Sequence, residues 1–185
     1  MKNQITITNN GSGILLDLVL KAERRGKVVL TLFVVLLIGV VVFAISSAPR
    51  TAFPQIIIPA GIVLGLIFYF PVRYWLWNLF GEETFAITTR SISVERSYGF
   101  YRTRMETFPF SKLLITLATA RRFDGEEHGT MDFHGQDPVT GLPVFLVQTA
   151  VIVPKSDLER VRQEVDKMFQ KENMEEAGYP SFSLN

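Results

Sequence analysis

Apolar and polar positions divide the chain into three regimes. From Val28 to Val72 the only charged residue is Arg50, so two uncharged runs, 28–49 and 51–72, stand on either side of the turn Ser46-Ser47-Ala48-Pro49-Arg50-Thr51. At about 1.5 Å per helical residue each run reaches roughly 33 Å, enough to cross the ~30 Å hydrocarbon core of a bilayer. The first run is rich in Val and Ile, which disfavour a helix in water. In lipid every backbone group must be satisfied within its own segment, and helix wins. The pattern predicts a transmembrane hairpin over 28–80, with helices at about 28–46 and 55–80.

Before the hairpin the period is two. Ile5 and Ile7 alternate with Thr6 and Thr8, Asn9-Asn10-Gly11-Ser12-Gly13 supplies a turn, and Ile14, Leu16, Leu18 and Leu20 resume the alternation. An amphipathic helix over 14–25 also satisfies the spacing through Leu15, Leu18 and Val19. A lone two-stranded hairpin is marginal in water. Residues 1–27 are therefore expected to pair with the domain after the membrane.

After Gly81 the period is again two. Six strands are predicted: 84–88, 91–95, 101–108, 113–120, 128–134 and 142–149. The fourth is apolar on both faces and reads as central; the cluster 135–141 turns the fifth into the sixth. From Ser156 the period returns to 3.6, with Leu158, Val161, Val165, Met168 and Phe169 on one face and a capping box of Ser156 and Glu159. The domain is expected over 81–174, and 175–185 reads as a tail. The fold class is α+β: a two-helix transmembrane hairpin plus an antiparallel β sandwich or partly open barrel with a C-terminal helix.

Charge places the ends. Lys21, Arg24, Arg25 and Lys27 precede the first span, and Arg73 closes the second. Positive residues favour the cytoplasmic side, so both termini are expected in the cytoplasm. The first run is too long for the apolar core of a cleaved leader. A net charge of +1 gives no field that would draw nucleic acid, and the absence of cysteine removes thiolate chemistry.

Four sets of residues stand out. Arg73, Tyr74, Trp75 and Trp77 read as anchors at the membrane interface, with Arg73 reaching headgroup phosphates; an aromatic ligand pocket is the other reading of the rings. Gly61 and Gly65 form a small-xxx-small pair that would let the first helix approach closely. Arg102 and Arg104 share a face of the third strand and, with Arg90 and Arg96, form a candidate surface for anionic lipid or a partner. His128, Asp132 and His134 share a strand face. His128 and His134 would lie roughly 20 Å apart, leaving two ligands where a metal needs three or four. Glu82 and Glu83 are neighbours in an extended chain and point to opposite sides, as do Glu126 and Glu127, so neither pair makes an acid–base dyad. No nucleophile elbow or phosphate loop occurs, no Asp, Glu, Lys, Arg or His sits inside either uncharged run, and no catalytic residue, metal or cofactor is expected.

The phrase Leu76-Trp77-Asn78-Leu79-Phe80-Gly81-Glu82-Glu83, followed by Ile92-Ser93-Val94-Glu95-Arg96, the Gly99 turn, and Arg102-Thr103-Arg104 before Phe108, resembles the bacterial two-helix membrane proteins with a pleckstrin-homology-like domain. The likeness covers roughly residues 11–122. It implies a β-meander after the membrane exit, in the bacterial cytoplasmic membrane, and brings no catalytic residues with it. The function expected is a non-enzymatic binding or assembly module whose partners are the bilayer and a protein or a second copy. A reader of anionic lipid surfaces is the alternative.

Overall fold

A computed structural model describes residues 4–10, 13–47, 53–123, 125–137 and 139–176. The chain divides into two compact units. One is drawn from Met1–Val19, Glu82–Arg96 and Arg102–Asn185, the other from Leu20–Gly81 and Ser97–Tyr101.

The first unit is β-rich. The strands β1 (Ile5–Asn9), β2 (Ile14–Val19), β3 (Gly81–Ile87), β4 (Ser91–Tyr98) and β5 (Glu106–Pro109) form one sheet in that order. A second sheet holds β6 (Leu113–Phe123), β7 (Glu126–Gln136) and β8 (Pro143–Gln148), with the short β9 (Val153–Pro154) added to β7. The predicted N-terminal strands form, and the amphipathic helix over 14–25 does not. Antiparallel register sets Ile14 opposite Ile87 and Leu16 opposite Phe85, so one face of the first sheet is apolar over these positions. These side chains are buried together with Met131 and Phe133 of β7, and the rings of Phe85 and Phe133 meet at 5.6 Å.

Helix α4 (Lys155–Glu176) buries Leu158, Val161, Val165 and Met168, the stripe its 3.6 period predicts, and Phe169 stacks near Phe110 at 6.4 Å. Its start differs from the capping box. Ser156 lies inside the first turn and its hydroxyl is donated to Glu126 Oε1.

Two strand expectations are corrected. Of 101–108, only β5 from Glu106 is regular strand; Arg102 makes an isolated bridge, and Arg104 lies in irregular chain. Tyr98 N–H closes on Tyr101 O and Thr103 N–H on Arg96 O, so the chain turns there rather than running straight. Strand β6 is an edge, not central, and Leu114 is exposed. Apolar residues on both faces mimic a central strand, but here the outward ones are simply left uncovered.

The second unit is helical. Helix α1 (Arg24–Ser46) begins earlier than the apolar run, taking Arg24, Arg25 and Lys27 into its first turns. Helix α2 (Phe53–Ile67) passes through a π turn at Phe68–Val72 into α3 (Arg73–Phe80). Pro71 lies within that wide turn, where a missing N–H and a bulky ring are accommodated without ending the helix. Arg24–Ser46 and Ile57–Phe80 are each long and apolar enough to cross a membrane. Their apolar side chains are mostly outward-facing, unlike those of a core helix in a soluble protein. The turn centred on Arg50, Gly11 and Ser12 of the first hairpin, and residues 177–185 lie outside the described residues.

The two helices meet through Val34, Val41, Ile67 and Leu76, with Leu37, Ala60 and Leu64 packed against them. Gly61 and Gly65 are exposed, and a Cβ at either would meet nothing within 4 Å. The glycine pair therefore does not line the helix contact; Ala60 and Leu64, one residue before each glycine, supply it. Sequence spacing identifies a stripe but not its rotation about the helix axis.

Candidate functional site

Helix α3 carries four of the singled-out residues. Over eight residues the 3.6 period sends Arg73 and Trp77 to one side and Trp75 to another. Trp75 donates its indole N–H to Thr31 Oγ1 at 2.8 Å, while that hydroxyl donates to Lys27 O at 2.7 Å. This polar clip ties the helices together, and a tryptophan N–H that would otherwise be orphaned is satisfied. Tyr74 is exposed.

Arg73 was expected to reach toward phosphates. It donates to Tyr98 Oη from Nε at 3.3 Å and from Nη2 at 3.0 Å, and its guanidinium carbon lies 5.2 Å from the ring centroid. The Tyr98 ring also rests 5.2 Å from that of Trp77 and 6.1 Å from that of Tyr101. Gly99 follows in the left-handed region at φ +89°, and a Cβ there would lie 3.1 Å from Phe80 side-chain atoms. Glycine is needed twice over at this turn, for the backbone angle and for the space.

The four arginines proposed as a surface do not act as one group. Arg96 turns inward, in phase with Ile92 and Val94 on the buried face of β4. Its Nε donates to Glu83 Oε1 at 2.7 Å. Arg90, exposed in the turn before β4, is six residues away, roughly 20 Å along an extended strand. Arg102 is exposed and 3.9 Å from Glu95, and Arg104 is exposed beyond it.

Glu83 is the residue that pattern reading passed over. It is fully buried, in phase with Phe85 and Ile87 and opposite Leu18. Its second oxygen accepts the backbone N–H groups of Ala150 at 2.7 Å and Val151 at 3.2 Å. Burial pushes the carboxyl above its ordinary range, while Arg96 and the two amides pull the other way. One carboxylate thus joins β3 and β4 of the first sheet to the segment after β8. Gln4 adds a second link to that segment, from Nε2 to Ile152 O at 3.0 Å. The signal in the sequence was its odd number: the alternation of Phe85 and Ile87 continues back to an acid. Glu82 lies on the other face of β3.

On the outer face of β7, Asp132 and His134 are neighbours, and Asp132 Oδ1 is buried without a hydrogen-bond partner. His134 meets the Phe145 ring edge-on at 5.4 Å. Among the described residues no group of three or more His, Cys, Asp or Glu is placed to hold a metal ion. Leu114, His134 and Phe145 stand opposite one another across β6, β7 and β8, and both apolar members are exposed. The adjoining loop exposes Val139 and Leu142 as well. Asp137 Oδ1 accepts from the amides of Val139 and Thr140, which holds its carboxyl below the usual range and fixes that loop. The arrangement can offer an apolar row edged by polar groups; it assembles no nucleophile with a base. Compared with known protein families, curated proteins and solved structures, the chain matches none.

Proposed function

We propose that the chain is a non-enzymatic, membrane-anchored binding or assembly module. Its two helices span the bacterial cytoplasmic membrane with both termini in the cytoplasm, and its β unit is a pleckstrin-homology-like domain that holds a protein partner or a second copy of the chain. What carries this reading is where apolar surface is left open. Both helices expose Val, Leu, Ile and Phe along their length, a surface far larger than a soluble protein tolerates. The β unit closes its own core and still leaves the Leu114–Phe145 row uncovered. Two antiparallel sheets followed by a C-terminal helix support the pleckstrin-homology-like assignment. Lys21, Arg24, Arg25 and Lys27 support the orientation.

Brief cross-linking in the native membrane, affinity purification of the tagged protein in mild detergent and mass spectrometry test the proposal. A stoichiometric protein partner or a dimer is expected, lost in a Leu114→Lys/Phe145→Lys variant that still folds. Recovery of an uncross-linked monomer would sink it. The alternative, a reader of anionic lipid surfaces, draws on exposed Arg102 and Arg104, because Arg96 is engaged by Glu83. Equal liposome binding at low salt by wild type and Arg102→Ala/Arg104→Ala would remove it.

A further inference from the structure

The turn Ser97–Tyr101 belongs to the helical unit although it interrupts the β sequence. At its tip Phe100 is 83% exposed, the most exposed aromatic among the described residues. We infer that this turn is a third membrane-contacting element, and that Phe100 and Tyr101 sit in the headgroup–acyl boundary of the leaflet that α3 crosses. The inference rests on the membrane reading above and adds to it a site of lipid contact outside the two spans.

Three observations converge. The turn is held from both ends of α3: Tyr98 takes hydrogen bonds from Arg73 at the first residue, and Gly99 packs on Phe80 at the last. These two residues are seven apart, about 10 Å along a helix axis. The candidate span Ile57–Phe80 would be roughly 36 Å long, several ångströms more than the hydrocarbon core. Its final turns therefore fall at headgroup level, and the turn they hold falls there with them.

The turn is also rigid. Tyr98 N–H donates to Tyr101 O at 2.7 Å, Gly99 occupies a backbone region that other residues rarely adopt, and the Tyr98 ring is braced by Trp77. Phe100 is thus presented by a built scaffold. Finally, the surface around it is of one kind. Phe80, Tyr74 and Tyr101 are exposed on the same unit, and Arg73 lies among them. Aromatic rings with a cation beside them are the composition that favours the bilayer interface, since the apolar bodies leave water while polar edges remain hydrated. The occupant this surface fits is the lipid boundary already contacted by the exposed side of the second helix.

The chain contains no cysteine, so single-cysteine variants give unique attachment sites. Spin labels would be placed at Phe100→Cys, at Val35→Cys in the exposed side of α1, and at Val139→Cys in the β unit, where the native residue is 90% exposed. Full-length protein in lipid nanodiscs is then tested for collision with oxygen, which concentrates in lipid, and with a nickel chelate, which stays in water. The label at 100 is expected to show an oxygen-to-nickel ratio several-fold above that at 139 and below that at 35. A ratio at 100 equal to that at 139, with 35 in lipid, overturns the inference and leaves the membrane reading standing. A label at 100 shielded from both probes means a protein contact and overturns it too. A label at 35 in water would defeat the membrane reading and this inference together. Because the Phe100 side chain is so exposed, its replacement is not expected to disturb the fold.

Discussion

The two units bury apolar side chains alike and differ in what they turn outward. In the β unit Leu16, Phe85 and Phe133 are sealed away, and among the described residues the large apolar side chains left exposed are Met105, Leu114, Val139, Leu142 and Phe145. In the helical unit Leu32, Leu36 and Phe43 face outward, and between the helices lies the Thr31–Trp75 hydrogen bond. On the membrane reading proposed above, one chain follows two solvation rules. Where water is the solvent, burial of apolar area is the main stabilising term. Where the outward side chains meet lipid, no such gain separates inside from outside, and packing with a few polar contacts must hold the pair. The buried Glu83 marks the contrast from the other side. In a water-soluble core a carboxylate is costly and survives only with its donors in place.

This contrast is broken most severely by truncating the β core. Phe85→Ala is expected to destabilise the β unit by about 3–5 kcal/mol, read as loss of amide-exchange protection in β3 of the full-length protein. Next comes Arg96→Ala, which strands the Glu83 charge. Removing one partner of a buried pair costs about 3–5 kcal/mol, and the lower end applies because Arg96 is itself 34% exposed. Glu83→Gln should cost less, because the charge it leaves without a partner is that of Arg96, which is 34% exposed and can be hydrated. Urea unfolding in detergent would rank the two, and the reverse order would mean that the ion pair is not the source of the effect.

Acid sharpens the comparison. The Glu83 carboxyl sits above its ordinary value of 4.5 in the folded chain. Between that value and the raised one, the folded state holds a proton that the unfolded chain has released. Unfolding therefore releases the proton, and stability falls as pH rises through the window. The contribution is fully present below 4.5. Thermal melts at stepped pH should show this slope in the wild type and its loss in Glu83→Gln.

A smaller effect is expected within the helices. A double-mutant cycle of Thr31→Val and Trp75→Phe should give a coupling of about 0.6 kcal/mol, the average for interhelical hydrogen bonds in membranes. Least of all is Leu36→Ala. The residue is 65% exposed, and its loss should change stability in detergent by no more than about 0.5 kcal/mol. If Leu36→Ala instead matched Phe85→Ala, the two units would share one rule and the contrast would fail.

The helices and most strands were legible because their signals are local. An uncharged run of this length reads as a long apolar helix regardless of its surroundings, and alternation at Ile14, Leu16 and Leu18 survives any tertiary arrangement. The stripe on α4 was legible for the same reason. What failed depended on neighbours. Gly61 and Gly65 were assigned to a contact that Ala60 and Leu64 make, because helix rotation is set by the partner. β6 was read as central because apolar residues on two faces look alike whether covered or bare. Arg96 looked like a surface cation, since nothing local says that an acid thirteen residues earlier waits for it. The turn at Tyr98-Gly99 was legible, but its attachment to α3 was not, because it runs through Tyr98, a residue in phase with the core of β4.

Strand β2 ends at Val19 and finds its neighbour at Glu82, on the far side of both helices. Synthesis reaches β2 first. At about 5–20 residues per second the ribosome takes roughly 3–12 s to deliver the intervening stretch. Through that interval Ile14, Leu16 and Leu18 have no β3 to pair with. A chain in which only one helix inserts would leave β2 and β3 on opposite sides of the bilayer, unable to zip together. On the membrane reading proposed above, closure of the first sheet would serve as a parity check on insertion, completed only when the number of crossings is even.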